Sequence, residues 1–318
     1  MKSVASILIT DPISSTATTK LKDEGFEVTV NELDPASLLN AVKDFDVLIV
    51  RSRTKVTAQV IQAGTKLKVI ARAGVGLDNI DVNAAKNKNI TVVNAAEAPS
   101  VSVAELVFGL MLSLARSIST ADAALKEGKW LKHTLTGFEL RGKRLGIVGF
   151  GRIGREVAKR ALSFEMKVSA YDVAPPSLTG AKEMGAQTVA ASRKGFEELL
   201  KTSDIITIHV PSSPETRNIF GEKEFALMKK NAIIINASRG GIVDESALLK
   251  AIKEGKIGGA GLDVFETEPP KSLDLVKLQN VVCTPHIGSQ TVEAQDLAGD
   301  IISTRIIDIF KKRVASRR

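Results

Sequence analysis

Three residues in the last third of the chain have the types that acid–base chemistry on a small anion needs: Arg239 in INASRGGIVDE, Glu268 in GLDVFETEPP and His286 in TPHIGS. A guanidinium is a planar fork that grips a carboxylate in two places, which an ammonium cannot do. An imidazole titrates near neutrality and can take or give the proton of a hydroxyl; a carboxylate on its other ring nitrogen fixes the tautomer. Each residue also has a bland reading. Arg239 could pair with Asp244, Glu268 could be a solvated loop charge before Pro269-Pro270, and His286 could be a satisfied strand-end histidine. The chemical reading prevails because all three follow short apolar runs of strand character, and in a doubly wound sheet ligands bind beyond the carboxyl ends of the strands. Together they suit a small 2-hydroxy or 2-keto acid, with Arg239 on the carboxylate, His286 at the hydroxyl proton and Glu268 behind the imidazole.

A fourth element supplies the electron acceptor. LGIVGFGRIGR contains G-x-G-x-x-G as Gly149, Gly151 and Gly154, after an apolar strand and before a helical segment. The first glycine permits a tight turn, the second lets backbone approach a pyrophosphate, and the third lets helix and strand pack closely. Arg152 and Ile153 lie inside the same turn. The next strand ends in Asp172, at roughly the 20-residue spacing at which an acid meets the adenine ribose. Its charge would repel a 2'-phosphate, so the cofactor predicted is NAD rather than NADP. His209 ends a further strand and is expected to line the nucleotide cleft. Gly74-Val75-Gly76 looks similar, but Asn79 stands where a third glycine belongs, so that stretch reads as a loop. The histidine spacings offer no zinc motif, and no metal is expected.

These groups must be positioned by an α/β scaffold. In the first third the predicted strands are 6–10, 26–30, 47–51, 69–73 and 90–93, alternating with helices at 15–24, 36–43 and 58–63. A helix follows with Val103, Leu106, Val107, Leu110, Met111 and Leu114 at helical spacing. Phe108 and Leu112 are apolar on its other side, which predicts cover from a second domain or from a partner chain in a homodimer. A second series, 145–148, 168–171, 205–210, 233–235, 261–264 and 281–284, gives the six strands of a dinucleotide-binding sheet. A closing helix over about 291–312 returns to the first domain. The expected organisation is therefore a discontinuous flavodoxin-like substrate domain, residues 1–98 and 289–318, and a Rossmann doubly wound domain, residues 99–288.

Composition bounds the alternatives. With 318 residues and 44% hydrophobic content, each domain can bury a core. No apolar run approaches the ~18 to 20 residues of a membrane span, the N-terminus lacks a signal-peptide core, and the one cysteine, Cys283, excludes an internal disulfide. A membrane partner is not expected, and a cytoplasmic location is. The formal charge of +8 could serve nucleic acid, but with 4% aromatic residues and no basic helix or finger spacing, no nucleic-acid partner is predicted. The same balance attracts small anions. The closing KKRVASRR reads as a solvated helix end and tail.

The strings GIVGFGRIG, HVPSSPETRN, INASRGGIVDE, GLDVFETEPP and TPHIGS resemble, in order and spacing, the D-2-hydroxyacid dehydrogenase family. The resemblance covers essentially the whole chain and implies the roles argued above for Arg239, Glu268 and His286. It also implies a place for Asp263 near the nicotinamide amide, a substrate domain built from both ends of the chain, a cleft between two domains, and dimerisation through the nucleotide domain. LIVRSRTKVT and ARAGVGLDNID are most similar to members that act on a phosphorylated hydroxy acid. Such a substrate needs extra cations; Arg51, Ser52, Arg53, Arg72, Gly74 and Val75 are the expected substrate-binding set, with Lys55 and Lys132 as further candidates. Long relatives carry a serine-sensing C-terminal domain, and regulation through that domain is not expected here. Val75 and Val210 stand where some relatives have threonine. The fold is also used by an NAD-sensing corepressor that binds peptides, and the triad does not exclude that role.

Overall fold

A computed structural model describes residues 4–315, with side chains described through Lys312. The predicted tail from Arg313 onward thus lies outside the described side chains. The chain divides into two compact units, one formed by the residues up to Pro99 together with those from Ser289, the other by Ser100–Gly288.

The first unit runs β1 (Ser6–Ile9), α1 (Ser15–Asp23), β2 (Glu27–Val30), α2 (Pro35–Ala41), β3 (Val47–Val50), α3 (Ala58–Ala63), β4 (Val69–Arg72), α4 (Val82–Asn87) and β5 (Thr91–Asn94). Its sheet is parallel with order β2-β1-β3-β4-β5, the flavodoxin-like order. Central strands such as VLIV are buried on both faces, as parallel strands under helices must be. Helix starts are set by local chemistry: Asp34, Thr57 and Asp81 each cap the first turn of the helix that follows. One face of the sheet carries Ile7, Ile9, Val47 and Val69 with Ile302, Ile306 and Phe310 of the closing helix, and the other carries Leu8, Leu48 and Ile70 with Leu38, Val60 and Ile61.

The second unit runs α5 (Ser100–Arg116), α6 (Ile118–Lys126), β6 (Arg144–Val148), α7 (Arg152–Ser163), β7 (Lys167–Tyr171), α8 (Pro175–Glu183), β8 (Gln187–Thr188), α9 (Arg193–Thr202), β9 (Ile205–Ile208), α10 (Glu222–Leu227), β10 (Ile233–Asn236), α11 (Glu245–Lys253), β11 (Gly259–Leu262) and β12 (Val281–Cys283). Then α12 (Val292–Ala315) lies along α1, where Gly299 approaches Ser14 and Ala17. The second sheet is parallel with order β12-β11-β10-β9-β6-β7-β8. It has seven strands rather than the six predicted, because β8 is a two-residue polar edge strand with no apolar run to announce it.

The α5 face carrying Phe108 is covered from within the unit: Phe108 stacks on Phe164, which caps α7, with ring centroids 5.1 Å apart. Among the described residues no single helix is long and apolar enough to cross a membrane.

Candidate active site

In the second sheet the strand order reverses between β6 and β9, and the loops after those two strands lead away in opposite directions, leaving a crevice. The Gly149 turn follows β6 and His209 follows β9, with the His209 N–H bonded to the Val148 carbonyl at 2.7 Å. Gly149 has φ +93°, and a Cβ there would come 2.6 Å from the His209 carbonyl oxygen. A Cβ on Gly154 would meet the Gly149 oxygen at 2.3 Å, whereas one on Gly151 would meet nothing within 4 Å. Gly151 thus borders open space at the N-terminus of α7, and it offers that helix no side-chain cap. Free N–H groups at a helix start are an anion site. Arg152 and Ile153 open α7, the first exposed and the second half-buried.

Asp172 also braces this turn. One carboxylate oxygen accepts from Phe150 N at 2.7 Å and the other from Ala174 N at 2.8 Å. Each oxygen keeps a lone pair, so ribose hydroxyls can still be accepted. Burial pushes His209 down to about 3, so its ring is neutral. Nε2 pairs with Thr207 Oγ1 at 3.0 Å, while buried Nδ1 has no partner among the described residues. An open glycine edge, an uncapped helix start, a part-used acid and an orphaned imidazole nitrogen together fit a dinucleotide.

Farther along the same sheet, the loops after β10, β11 and β12 bring two of the three chemical residues into contact. His286 Nδ1 lies 2.8 Å from Glu268 Oε2 and donates to it, which leaves Nε2 to exchange a proton. His286 has φ +54°, a region unfavourable for a non-glycine residue. Buried Asp263 holds it there: Oδ1 accepts from Thr284 Oγ1 at 2.6 Å and Ile287 N at 2.8 Å, and Oδ2 from Gly288 N at 2.9 Å. Asp263 is thus a bracket for the histidine loop, a role that the chain pattern did not disclose. Arg239 follows β10 in a turn tied by Asn236, which accepts from Ser238 N and Oγ and donates to the Arg239 carbonyl. Its Nη1 donates to the Ser238 carbonyl at 2.7 Å. Asp244 caps α11, its Oδ1 accepting from Ala247 N.

In the first unit the strand order reverses between β1 and β3, and the Arg51–Thr54 loop sits there. Asp11, 2% exposed, accepts from Arg51 N at 2.6 Å, Thr54 N at 3.1 Å, Thr54 Oγ1 at 2.8 Å and Arg53 Nε at 3.0 Å. Burial raises its proton affinity, but these bonds outweigh it and hold the carboxyl below its ordinary value. Arg53 also donates to Glu32 and to the Thr10 carbonyl, so its guanidinium is turned to the scaffold rather than to a ligand. A buried carboxylate at the strand end thus holds the nearest cation. Arg51 reaches Gln290 Oε1 at 3.2 Å and, with Gly74, lines a narrow recess of about 20 Å³, room for one water. Arg72 donates to Asn79 Oδ1, and Asn79 donates to the carbonyls of Arg51 and Thr54. The residue that spoils the second glycine pattern is therefore the tie between the two arginine loops. Ser52 is exposed, and Val75 contributes a carbonyl that accepts from Asn94. Lys132 and His133 are exposed on the connection between α6 and β6.

Residues 108–288 match the family described as D-isomer specific 2-hydroxyacid dehydrogenase, NAD binding domain. The chain belongs to that family. It is 51% identical over 309 residues to D-3-phosphoglycerate dehydrogenase of Methanocaldococcus jannaschii, with 97% of this chain and 58% of that protein covered. It is 50% identical to hydroxypyruvate reductase of Thermotoga maritima, covering 92% and 94% of the two chains. The chain thus spans little more than half the length of the phosphoglycerate dehydrogenases it matches. Among solved structures, D-lactate dehydrogenase from Aquifex aeolicus complexed with NAD and lactic acid superposes with TM-score 0.83 at 30% identity, covering 98% and 96%. The second unit is accordingly an NAD-binding domain.

Proposed function

We propose that this member of the family oxidises D-3-phosphoglycerate to 3-phosphohydroxypyruvate. The observation that carries the reading is the Glu268–His286 pair at 2.8 Å, set at strand carboxyl ends in the sheet that bears the glycine turn. Arg239 takes the substrate carboxylate in two prongs. Glu268 holds Nδ1–H, so His286 Nε2 is the base that accepts the C2 hydroxyl proton and returns it in the reverse direction. Bound NAD supplies the acceptor for the C2 hydride. Gly149, Gly151, Arg152, Ile153 and Gly154 hold the pyrophosphate, Asp172 the ribose, and His209 the adjoining edge. Arg51 and Arg72 are the cations assigned to the phosphate end; two charge-assisted contacts contribute on the order of 1.5 to 3 kcal/mol each, enough for a tenfold or greater preference over an unphosphorylated acid. The protein acts as a cytoplasmic homodimer.

The likeness to a hydroxypyruvate reductase, which the chain matches over nearly that relative's whole length, supports a second reading: reduction of hydroxypyruvate or glyoxylate. Rates of NADH formation at alkaline pH across phosphorylated and plain 2-hydroxy acids separate the two. Equal efficiency with and without the phosphate removes the first reading. Absence of turnover with every acid, together with NAD-dependent capture of a peptide, removes both in favour of a corepressor. His286→Ala is expected to depress kcat, and Arg239→Ala to raise KM as well.

A further inference from the structure

The acidic pair that closes INASRGGIVDE takes no part in the reaction proposed above, yet its second member is tied to the loop that carries Glu268. Glu245 opens α11, and its Oε1 accepts from the backbone N–H of Glu266 at 2.5 Å. Residues Glu266, Thr267, Glu268 and Pro269 are all exposed, so packing does little to hold them. A second tie lies beside the first. Gly240 rests so closely on the Phe265–Glu266 peptide that a Cβ would fall 1.8 Å from the Phe265 oxygen and 2.9 Å from Glu266 N. The loop's own internal bond, from Phe265 N to Glu268 Oε1, is long at 3.3 Å. The segment after Arg239 and the segment before Glu268 are thereby stitched together at a glycine and at a carboxylate.

An exposed loop that must keep one carboxylate within reach of one imidazole nitrogen loses conformational entropy, and a hydrogen bond from its backbone to an acceptor fixed on a helix offsets part of that loss. We propose that Glu245 is a positioning residue for the Glu268–His286 pair: its carboxylate fixes the Glu266 backbone and so sets the direction from which Glu268 meets Nδ1. This role rests on the assignment of that pair made above. Burial, with Glu266 and Asp244 nearby, raises the proton affinity of Glu245, and its charge in turn helps burial push the Cys283 thiol of β12 up to about 11. The competing role is an acid in the first turn of α11 that complements the helix dipole.

Three substitutions in the full chain separate these roles. Glu245→Gln keeps an acceptor oxygen and loses the charge; Glu245→Asp keeps the charge and retracts the acceptor; Glu245→Ala loses both. Histidine-selective ¹⁵N NMR reads the His286 ring directly, since the chain has three histidines and His286→Ala assigns the signal. The expected result is a displaced Nδ1 signal in the Ala and Asp variants and a wild-type signal in the Gln variant. kcat is expected to fall on the order of tenfold in the first two, with NADH affinity by fluorescence unchanged. Wild-type Nδ1 signals in the Asp variant, or displacement in the Gln variant equal to that in Ala, would overturn the proposal in favour of the helix-dipole role. The NMR arm needs no turnover, so an enzyme that oxidises none of the acids defeats the proposed function while leaving this test readable.

Discussion

Two buried aspartates, one in each unit, do the same mechanical task with different partners. Asp11 closes the Arg51–Thr54 loop and Asp263 closes the Thr284–Gly288 loop, each at the carboxyl end of a parallel sheet. Asp11 counts a guanidinium among its donors; the described donors to Asp263 are two backbone N–H groups and a hydroxyl. A carboxylate answered by a cation is close to neutral as a unit, so the first bracket is chiefly scaffold. A carboxylate answered by neutral donors keeps its net charge beside the histidine it holds. The difference teaches that the second bracket holds the His286 loop with neutral donors alone among the described residues, whereas the first enlists a cation.

The largest effects should come from removing each acid. Asp11→Ala leaves four donors without their acceptor and one cation without its buried partner, a loss of about 3 kcal/mol or more in urea unfolding. Asp263→Ala should reduce stability by about 2 kcal/mol, since its donors are neutral, but should lower turnover on the order of a hundredfold because His286 leaves its left-handed conformation. Equal stability losses with turnover intact in the Asp263 variant would erase the distinction between scaffold and catalytic bracket.

Much of this arrangement was legible in the chain because the signals were local. Buried parallel strands announce themselves as VLIV, IITI and IIIN, and a glycine triplet between strand and helix announces a dinucleotide turn. The predicted strands overran the observed ones chiefly at the carboxyl end, at Thr10, Arg51, Ala73, Val210, Val264 and Thr284, and at the amino end only at Phe26 and Ile90. At the carboxyl ends the apolar pattern persists while the backbone leaves the ladder to present a polar group, so periodicity cannot see the exit. The brackets were illegible for a related reason. Asp11 and Asp263 look like any strand-end acid, and their partners lie about 40 and 25 residues away. The partners of Arg53, which are Asp11, Glu32 and the Thr10 carbonyl, were not foreseen, because composition cannot say which acid reaches an arginine first. The bond from Glu266 to Glu245 joins two loops that only the strand order brings side by side.

Acid should sharpen the contrast between the units. His209 of the second unit has its folded value depressed to about 3 against an ordinary 6.5, so between those limits the unfolded chain binds the extra proton. Stability from keeping this ring neutral is full above about 6.5 and is lost as pH falls. Asp11 behaves oppositely in range: its folded value is lowered, so its contribution persists until pH drops below the ordinary 3.8. Glu245, with a raised value, partly offsets the His209 loss at the lower end. Because the His209 residue is half-buried although Nδ1 is sealed, the loss between pH 7 and 4 should be on the order of 1 to 2 kcal/mol rather than the full shift. Melting curves of wild type and His209→Gln at pH 7 and 5 check this; parallel slopes would mean that the ring does not carry the acid sensitivity.

The smallest effect expected is also the one that tests the comparison most directly. Arg53→Met removes the cation from the first bracket and leaves Asp11 with Arg51 N, Thr54 N and Thr54 Oγ1, a donor set nearly identical to that of Asp263. The Arg53 side chain is 54% exposed, so solvent screens much of what its charge contributes. Asp11 itself stays buried, so some of the charge compensation is real, and the urea midpoint should fall by clearly less than in Asp11→Ala. Arg53→Lys, which keeps the charge and loses the fork joining Asp11, Glu32 and the Thr10 carbonyl, should fall between wild type and Met. A midpoint for Arg53→Met as low as that of Asp11→Ala would show that charge, and not the three shared donors, holds the first loop. The two brackets would then be different devices that happen to use the same residue.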